Sequence, residues 1–169
     1  MGTGAEFKLR RAVAADAAAL TRLVRDAYQG YEVRIGRTPI PMLADQAVAI
    51  REHEVWVLAP PAEGDGAEPG SLAGVLDLVP LGDHLLVESV AVAPQQQGRG
   101  FGSRLLDLIE QRADELGVPE IRLYTNERFV ENLAMYAGRG YRETHRTPLG
   151  RTSLVHLTKQ ARWRGPRGR

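Results

Sequence analysis

Polar and apolar residues alternate in "EFKLRRAV" and predict a first strand. Beyond it, Leu20, Leu23, Val24, Ala27, Tyr28 and Tyr31 recur at helical spacing as one apolar stripe. Asp16 is placed to cap that helix by accepting from its free first amides. The prolines of "GRTPIP" break the chain, and "MLADQAVAIREH" resumes as a short helix. Three β-rich runs follow: "EVWVLAP", "LAGVLDLVPL" and "HLLVESVAVAP". The glycine-, proline- and acid-rich "PAEGDGAEPGS" joins the first two as a surface hairpin loop. Val90, Ala91 and Val92 are apolar on both faces, as a covered central strand requires.

Leu105, Leu106, Ile109, Ala113 and Leu116 mark the next helix, which Gly117 and Pro119 stop. "EIRLYTN" reads as a strand, "VENLAMYAGRG" as a short helix, and "YRETHR" and "TSLVHLTK" as two closing strands. The order is strand, two helices, three strands, helix, strand, helix, two strands. It predicts one mixed α/β domain over residues 1–159, with a strand–helix–strand crossover at its centre.

Composition narrows the chemistry. At 169 residues, 43% apolar and 25% charged, the chain has room for one buried core. It has no cysteine, which excludes disulfides and thiolate metal sites. His53, His84, His145 and His156 lack metal-ligand spacing, so no metal is expected. There is no run of 18 apolar residues and no signal-like apolar core near the start, so the expectation is a cytoplasmic protein without a membrane partner. The net charge of +1 hides an asymmetry, because "QARWRGPRGR", residues 160–169, carries four arginines and no acid. The body is then mildly acidic. The tail reads first as a disordered, solubilising end, and nucleic acid is not an expected partner.

The segment "VAVAPQQQGRGFGSRLL" concentrates the candidate chemistry. Glycine loses more backbone freedom on folding than any other residue, so Gly98, Gly100 and Gly102 together need a reason. A tight strand-to-helix turn accounts for one of them. An anion held on bare amides at a helix start, with Arg99 adding charge, accounts for all three. A P-loop would need Gly-Lys-Ser/Thr where Ser103 and Arg104 follow the last glycine, and the spacing of a dinucleotide fingerprint is absent.

What remains, Gln97-x-x-Gly100-x-Gly102 after an apolar strand, resembles the coenzyme A pyrophosphate motif of the GNAT N-acetyltransferase superfamily. The element order resembles that family's too. So does "ENLAMYAGRGY", with Asn132 and Tyr136 ahead of Gly140 and Tyr141. The likeness runs from about Phe7 to Lys159. It implies a mostly antiparallel sheet of about seven strands with flanking helices and a central splayed strand pair. It also implies an acetyl-CoA-dependent transfer to a small-molecule or protein amine, by direct attack in a ternary complex. A non-catalytic acyl-CoA sensor on the same scaffold is the alternative. Pairing of terminal strands in the family makes a homodimer a further expectation.

The resemblance assigns roles residue by residue. Backbone groups of Val90, Ala91 and Val92 would pair with pantetheine as an added strand does. Gln97, Gly98, Arg99, Gly100, Phe101, Gly102 and Ser103 would hold the pyrophosphate. Asn132, one helical turn before Tyr136, would contact the cosubstrate, although many members carry that asparagine nearer Phe129. Tyr136 stands where members keep a general acid for the departing thiolate; a core tyrosine is the plain alternative. Glu88 is the candidate base, desolvated if it shares a strand face with Leu86, Val90 and Val92; a strand-end carboxylate in water is the alternative. His84 is a weaker candidate. Tyr28, Tyr31 and Arg34 would recognise the acceptor, Arg34 through paired bonds to a substrate carboxylate, unless it is a solvated loop residue.

Overall fold

The computed structural model describes residues 6–61 and 71–162. Most of the acid-rich hairpin loop and residues 163–169 of the basic tail lie outside the described residues. Seven strands form one sheet in the order β1-β2-β3-β4-β5-β7-β6. They are β1 (Lys8–Arg11), β2 (Glu54–Ala59), β3 (Gly74–Leu81), β4 (His84–Val92), β5 (Glu120–Asn126), β6 (Arg142–Leu149) and β7 (Thr152–Gln160). Every neighbouring pair is antiparallel except β4 and β5. That one parallel pair needs a crossover, and helix α5 (Phe101–Leu116) supplies it. This is the mixed, mostly antiparallel sheet expected.

The helices cover both faces of the sheet because each has an apolar stripe to bury. On one face, Leu105, Ile109 and Ala113 of α5 pack on Leu76, Leu85 and Ile121. On the other, α1 (Ala17–Tyr28) and α4 (Gln46–Glu52) set Leu20, Val24 and Ala49 against Val55, Val57 and Val75. Helix α5 is tied to the sheet through the buried Glu54 of β2. Its carboxylate accepts from Arg112 Nε of α5 at 2.5 Å and from Trp56 Nε1 at 2.8 Å. Removing one partner would leave a buried charge unpaired, which is strongly destabilising.

The chain between the first helix and β2 is more broken than its periodicity predicts. Helix α1 ends at Tyr28, and Tyr31 opens the separate turn α2 (Tyr31–Ile35), closed by Gly36 at φ +70°. The predicted single helix over "MLADQAVAIREH" divides into α3 (Ile40–Leu43) and α4. Asp45 divides them, because its side chain accepts from the amides of Ala47 and Val48 and so starts a new helix. Asp16 does not cap α1 as predicted. Its carboxylate reaches back to the Val13 amide at 2.8 Å and pairs with Arg10 at 2.7 Å. A short 3₁₀ turn, Ala14–Asp16, takes up the start of the helix. Helix α6 (Val130–Gly138) follows β5 and packs Tyr136 edge-on against Tyr141, with ring centroids 5.5 Å apart.

Candidate active site

The site begins with an irregularity in β4. Val87 pairs with Leu78 and Ser89 pairs with Asp77, so Glu88 is an extra residue opposite β3. A bulge of this kind bends its strand and re-aims a side chain. It also corrects the predicted face of Glu88, which assumed unbroken alternation. After the bulge, Val90 and Val92 return to the α5 face with Leu85 and Val87, while Ala91 joins the opposite core. Glu88 therefore does not share a regular strand face with Leu86, Val90 and Val92.

At the same level β4 and β5 part. Their pairing covers Leu85–Ile121, Leu86–Arg122 and Val87–Leu123 and then stops. Beyond it, β4 continues on β3 as far as Val92 and β5 continues on β7 as far as Asn126. The V between them is the expected splayed pair. It leaves an inner edge of β4, from Glu88 to Val92, without a neighbouring strand.

At the open end stands the glycine turn. Gly98 and Gly100 sit at φ +78° and +82°, the left-handed region that side chains with a Cβ disfavour. The turn thus explains two glycines, not one. Gly102 is different: it is helical, and a Cβ there would meet only Val92 Cγ2, at 3.9 Å. Backbone geometry does not ask for it. What its bareness does is clear the approach to the first amides of α5, a sixteen-residue helix whose N-terminus no side chain caps. Uncapped amides at such a positive helix end hold anions well. Arg99 lies exposed beside them, stacked on Phe101 and Phe7 and donating to Gln96 Oε1 at 2.5 Å. Gln97 Nε2 reaches the Val92 carbonyl at 3.5 Å. Phe101 offers only its backbone to a ligand there, because its ring is buried against Phe7.

Two cavities flank the V. The outer one, about 270 Å³, runs along Val90, Ala91 and Val92 to Gln97 and Gly102, with Leu106 and Met135 on its far wall. The inner one is narrower, about 80 Å³, and extends from Glu88 and Ser89 past Tyr124 and Asn126 to Ile35, Ile40 and Leu154. Tyr28, Val90, Asn132 and Tyr136 line both. A group entering from each side would meet at those four residues.

The electrostatics of the junction keep its phenols protonated. Burial pushes the Tyr136 phenol well above its ordinary value, with smaller contributions from Tyr28 and Tyr141. Tyr136 is only 6% exposed, and its hydroxyl makes no hydrogen bond among the described residues. Burial also pushes Tyr28 up to about 12. Its hydroxyl donates to the Val90 carbonyl at 3.2 Å. Tyr124 is raised by burial and then by the charge of Glu88, to which its hydroxyl donates at 3.1 Å. All three hydroxyls remain donors across the ordinary pH range.

The residues expected to recognise the acceptor are placed otherwise. Tyr28 holds β4 at the junction. Tyr31 lies on the outer cavity, 4.4 Å from the Phe129 ring, because the break after α1 turns it off the stripe. Arg34 is not free for a substrate carboxylate: its guanidinium forks onto Glu131 and donates to the Arg128 carbonyl at 2.7 Å. That pairing holds the Glu131 carboxyl down at about 2. His84 pairs with Asp83 at the far end of β4. Two site residues went unread in the sequence. Tyr124 alternates with Glu120 and Arg122, opposite the core residues Ile121 and Leu123, and so reads as an outward strand aromatic. Asn126 is 4% exposed and bonded to Thr152 Oγ1 and the Arg128 amide, pairings that no local motif announces. Among the described residues no cluster could ligate a metal, and no helix is long and apolar enough to cross a membrane.

Comparison with known proteins agrees with this fold. The sequence profile of the acetyltransferase (GNAT) family matches residues 18–141. No curated protein matches the chain significantly. Among solved structures, an acetyltransferase of the GNAT family from Staphylococcus aureus superimposes with a TM-score of 0.73 at 13% identity, over 92% of this chain and 99% of that one. The ribosomal-protein-S18-alanine N-acetyltransferase of Escherichia coli gives 0.68 at 14% identity, over 96% and 99%. The PaiA N-acetyltransferase of Thermoplasma acidophilum, solved in complex with coenzyme A, gives 0.68 at 13% identity, over 89% and 97%. At these identities the likeness is one of fold.

Proposed function

The chain belongs to the acetyltransferase (GNAT) family, and from that premise we propose that it moves the acetyl group of acetyl-CoA to a primary amine by direct attack in a ternary complex. The observation that carries this reading is the meeting of the two cavities at Tyr28, Val90, Asn132 and Tyr136. Acetyl-CoA would lie in the outer cavity, with its pyrophosphate on the amides from Gly98 to Ser103 and its pantetheine along the open edge of β4. The amine would come from the inner side. Two substrates presented to one another across a narrow junction need no covalent enzyme intermediate. Such positioning supplies up to about 7–11 kcal/mol of a barrier in well-oriented systems.

At the junction the neutral amine nitrogen attacks the thioester carbonyl carbon and the C–S bond breaks. The proton that the new amide nitrogen sheds goes to the departing sulfur, so CoA leaves as its thiol. Glu88, steadied by the Tyr124 hydroxyl, receives the proton that the ammonium must lose. Tyr136 donates to the departing sulfur. Because its phenol is raised well above a thiol's ordinary value of about 8.5, full proton transfer is uphill and the hydrogen bond does most of the stabilising.

The experiment is a calorimetric titration of the protein with acetyl-CoA, followed by a screen of amines for CoA thiol release. Binding with acceptor-dependent release supports the reading. Binding with no release from any amine would favour the non-catalytic acyl-CoA sensor, and no binding would remove both.

A further inference from the structure

The charge inventory of the inner cavity narrows the acceptor. Among its described lining residues Glu88 is the one charged side chain. The other polar groups are neutral hydroxyls and amides, such as Thr38, Thr125 and Asn126, and the remaining wall is largely apolar: Ile35, Pro39, Ile40, Leu149 and Leu154 among them. The arginine nearest in sequence to recognising an acid, Arg34, is not in this wall and spends its fork on Glu131. Arg128 donates to the Arg34 carbonyl at 3.0 Å. Arg37 is exposed and faces Gly150, outside the wall.

From this we infer that the acceptor is a small amine with an apolar body and no acid group beside its amino nitrogen. The inference rests on the acetyl-transfer reading and deepens it. An ammonium entering the narrow cavity finds Glu88. A carboxylate on the neighbouring carbon would be carried to the same carboxylate with no cation among the described wall residues to meet it, and would give up its water to an apolar wall. A bare alkyl or arylalkyl amine meets neither cost.

The test uses matched sets: 3-methylbutylamine, leucine and leucinamide, and 2-phenylethylamine, phenylalanine and phenylalaninamide. Each is titrated calorimetrically into the protein saturated with CoA, and each is assayed with acetyl-CoA for kcat/KM. The bare amines should exceed the amino acids at least tenfold in both measurements. The amides, which restore the bulk without the charge, should recover most of that gap. In Glu88→Gln the preference should shrink in the binding measurement, where loss of catalysis does not interfere. Amino acids binding as well as the bare amines would overturn the inference, as would amides as poor as the amino acids, since the discrimination would then be steric. Failure of all six to bind at millimolar concentration would also overturn it. Preferential binding of the amines without any acetylation would instead sink the transfer reading and leave the description of the pocket standing.

Discussion

The two sides of the V are built from different materials. The outer side is a backbone device: a β4 edge without a neighbouring strand, two left-handed glycines and the bare amides that start α5. The inner side is a side-chain device. Its walls come from α2, α3, the bulge at Glu88, the end of β5 and the β6–β7 hairpin. Amides look alike whatever residue carries them, so the outer side would suit one invariant group, the diphosphate proposed for it. The inner side can be re-cut one residue at a time without disturbing that hold. The difference teaches where generality and specificity reside in this molecule.

The sharpest way to separate the sides is at their junction. Replacing Tyr136 by Phe removes the donor proposed for the leaving sulfur and should lower kcat by about 10²–10³. The affinity for CoA should stay nearly unchanged by calorimetry. A variant turning over at the wild-type rate would return Tyr136 to the role of a core residue.

A second contrast divides the outer side itself. Gly100→Ala forces a Cβ into φ +82° and should cost roughly 1–2 kcal/mol of stability in denaturant melts. Gly102→Ala should do the opposite to stability. It replaces a helical glycine, where alanine is favoured by up to about 1 kcal/mol, yet it places a methyl group where the ligand passes. CoA affinity should fall about tenfold, equivalent to about 1.4 kcal/mol. Unchanged affinity in a stable Gly102→Ala protein would break the claim that bareness there serves the ligand.

The smallest effect lies at the far end of α1, the helix that delivers Tyr28 to the junction. Asp16 is held below the usual carboxylate range by its bond to Arg10, helped by the Val13 amide. A depressed carboxyl stabilises the fold fully above its unfolded value of about 3.9 and loses that contribution as pH falls through the lower folded value. Asp16→Asn should therefore cost about 1 kcal/mol at pH 7, on the scale of a helix-capping bond. The gap to the parent should narrow in melts as pH falls below the unfolded value of about 3.9. A gap that persists there would assign the loss to packing.

How far the site could be read in advance follows the same division. The Gln97-x-x-Gly100-x-Gly102 spacing announced the outer side because positive φ and exposed amides demand particular residues within one turn. The inner side announced little. Tyr31 and Arg34 looked like acceptor contacts, but their partners, Phe129 and Glu131, lie some hundred residues along the chain. Tyr124 looked like any strand aromatic until β4 brought Glu88 beside it. Period-two counting put Glu88 on the wrong face because a bulge depends on how two strands register, not on either strand alone.

By itself the sequence determined the order of the strands, the central crossover and the glycine turn with bare amides at the start of α5. Each of these is set by short-range sterics: apolar periodicity, the φ angles that only glycine adopts freely, and amides left over where a helix starts. Only the tertiary structure decided the bulge at Glu88, the pairing that withdraws Arg34 and the charge content of the inner cavity. These depend on which distant side chains packing brings within a few ångströms of one another, and no local pattern along a chain encodes that distance.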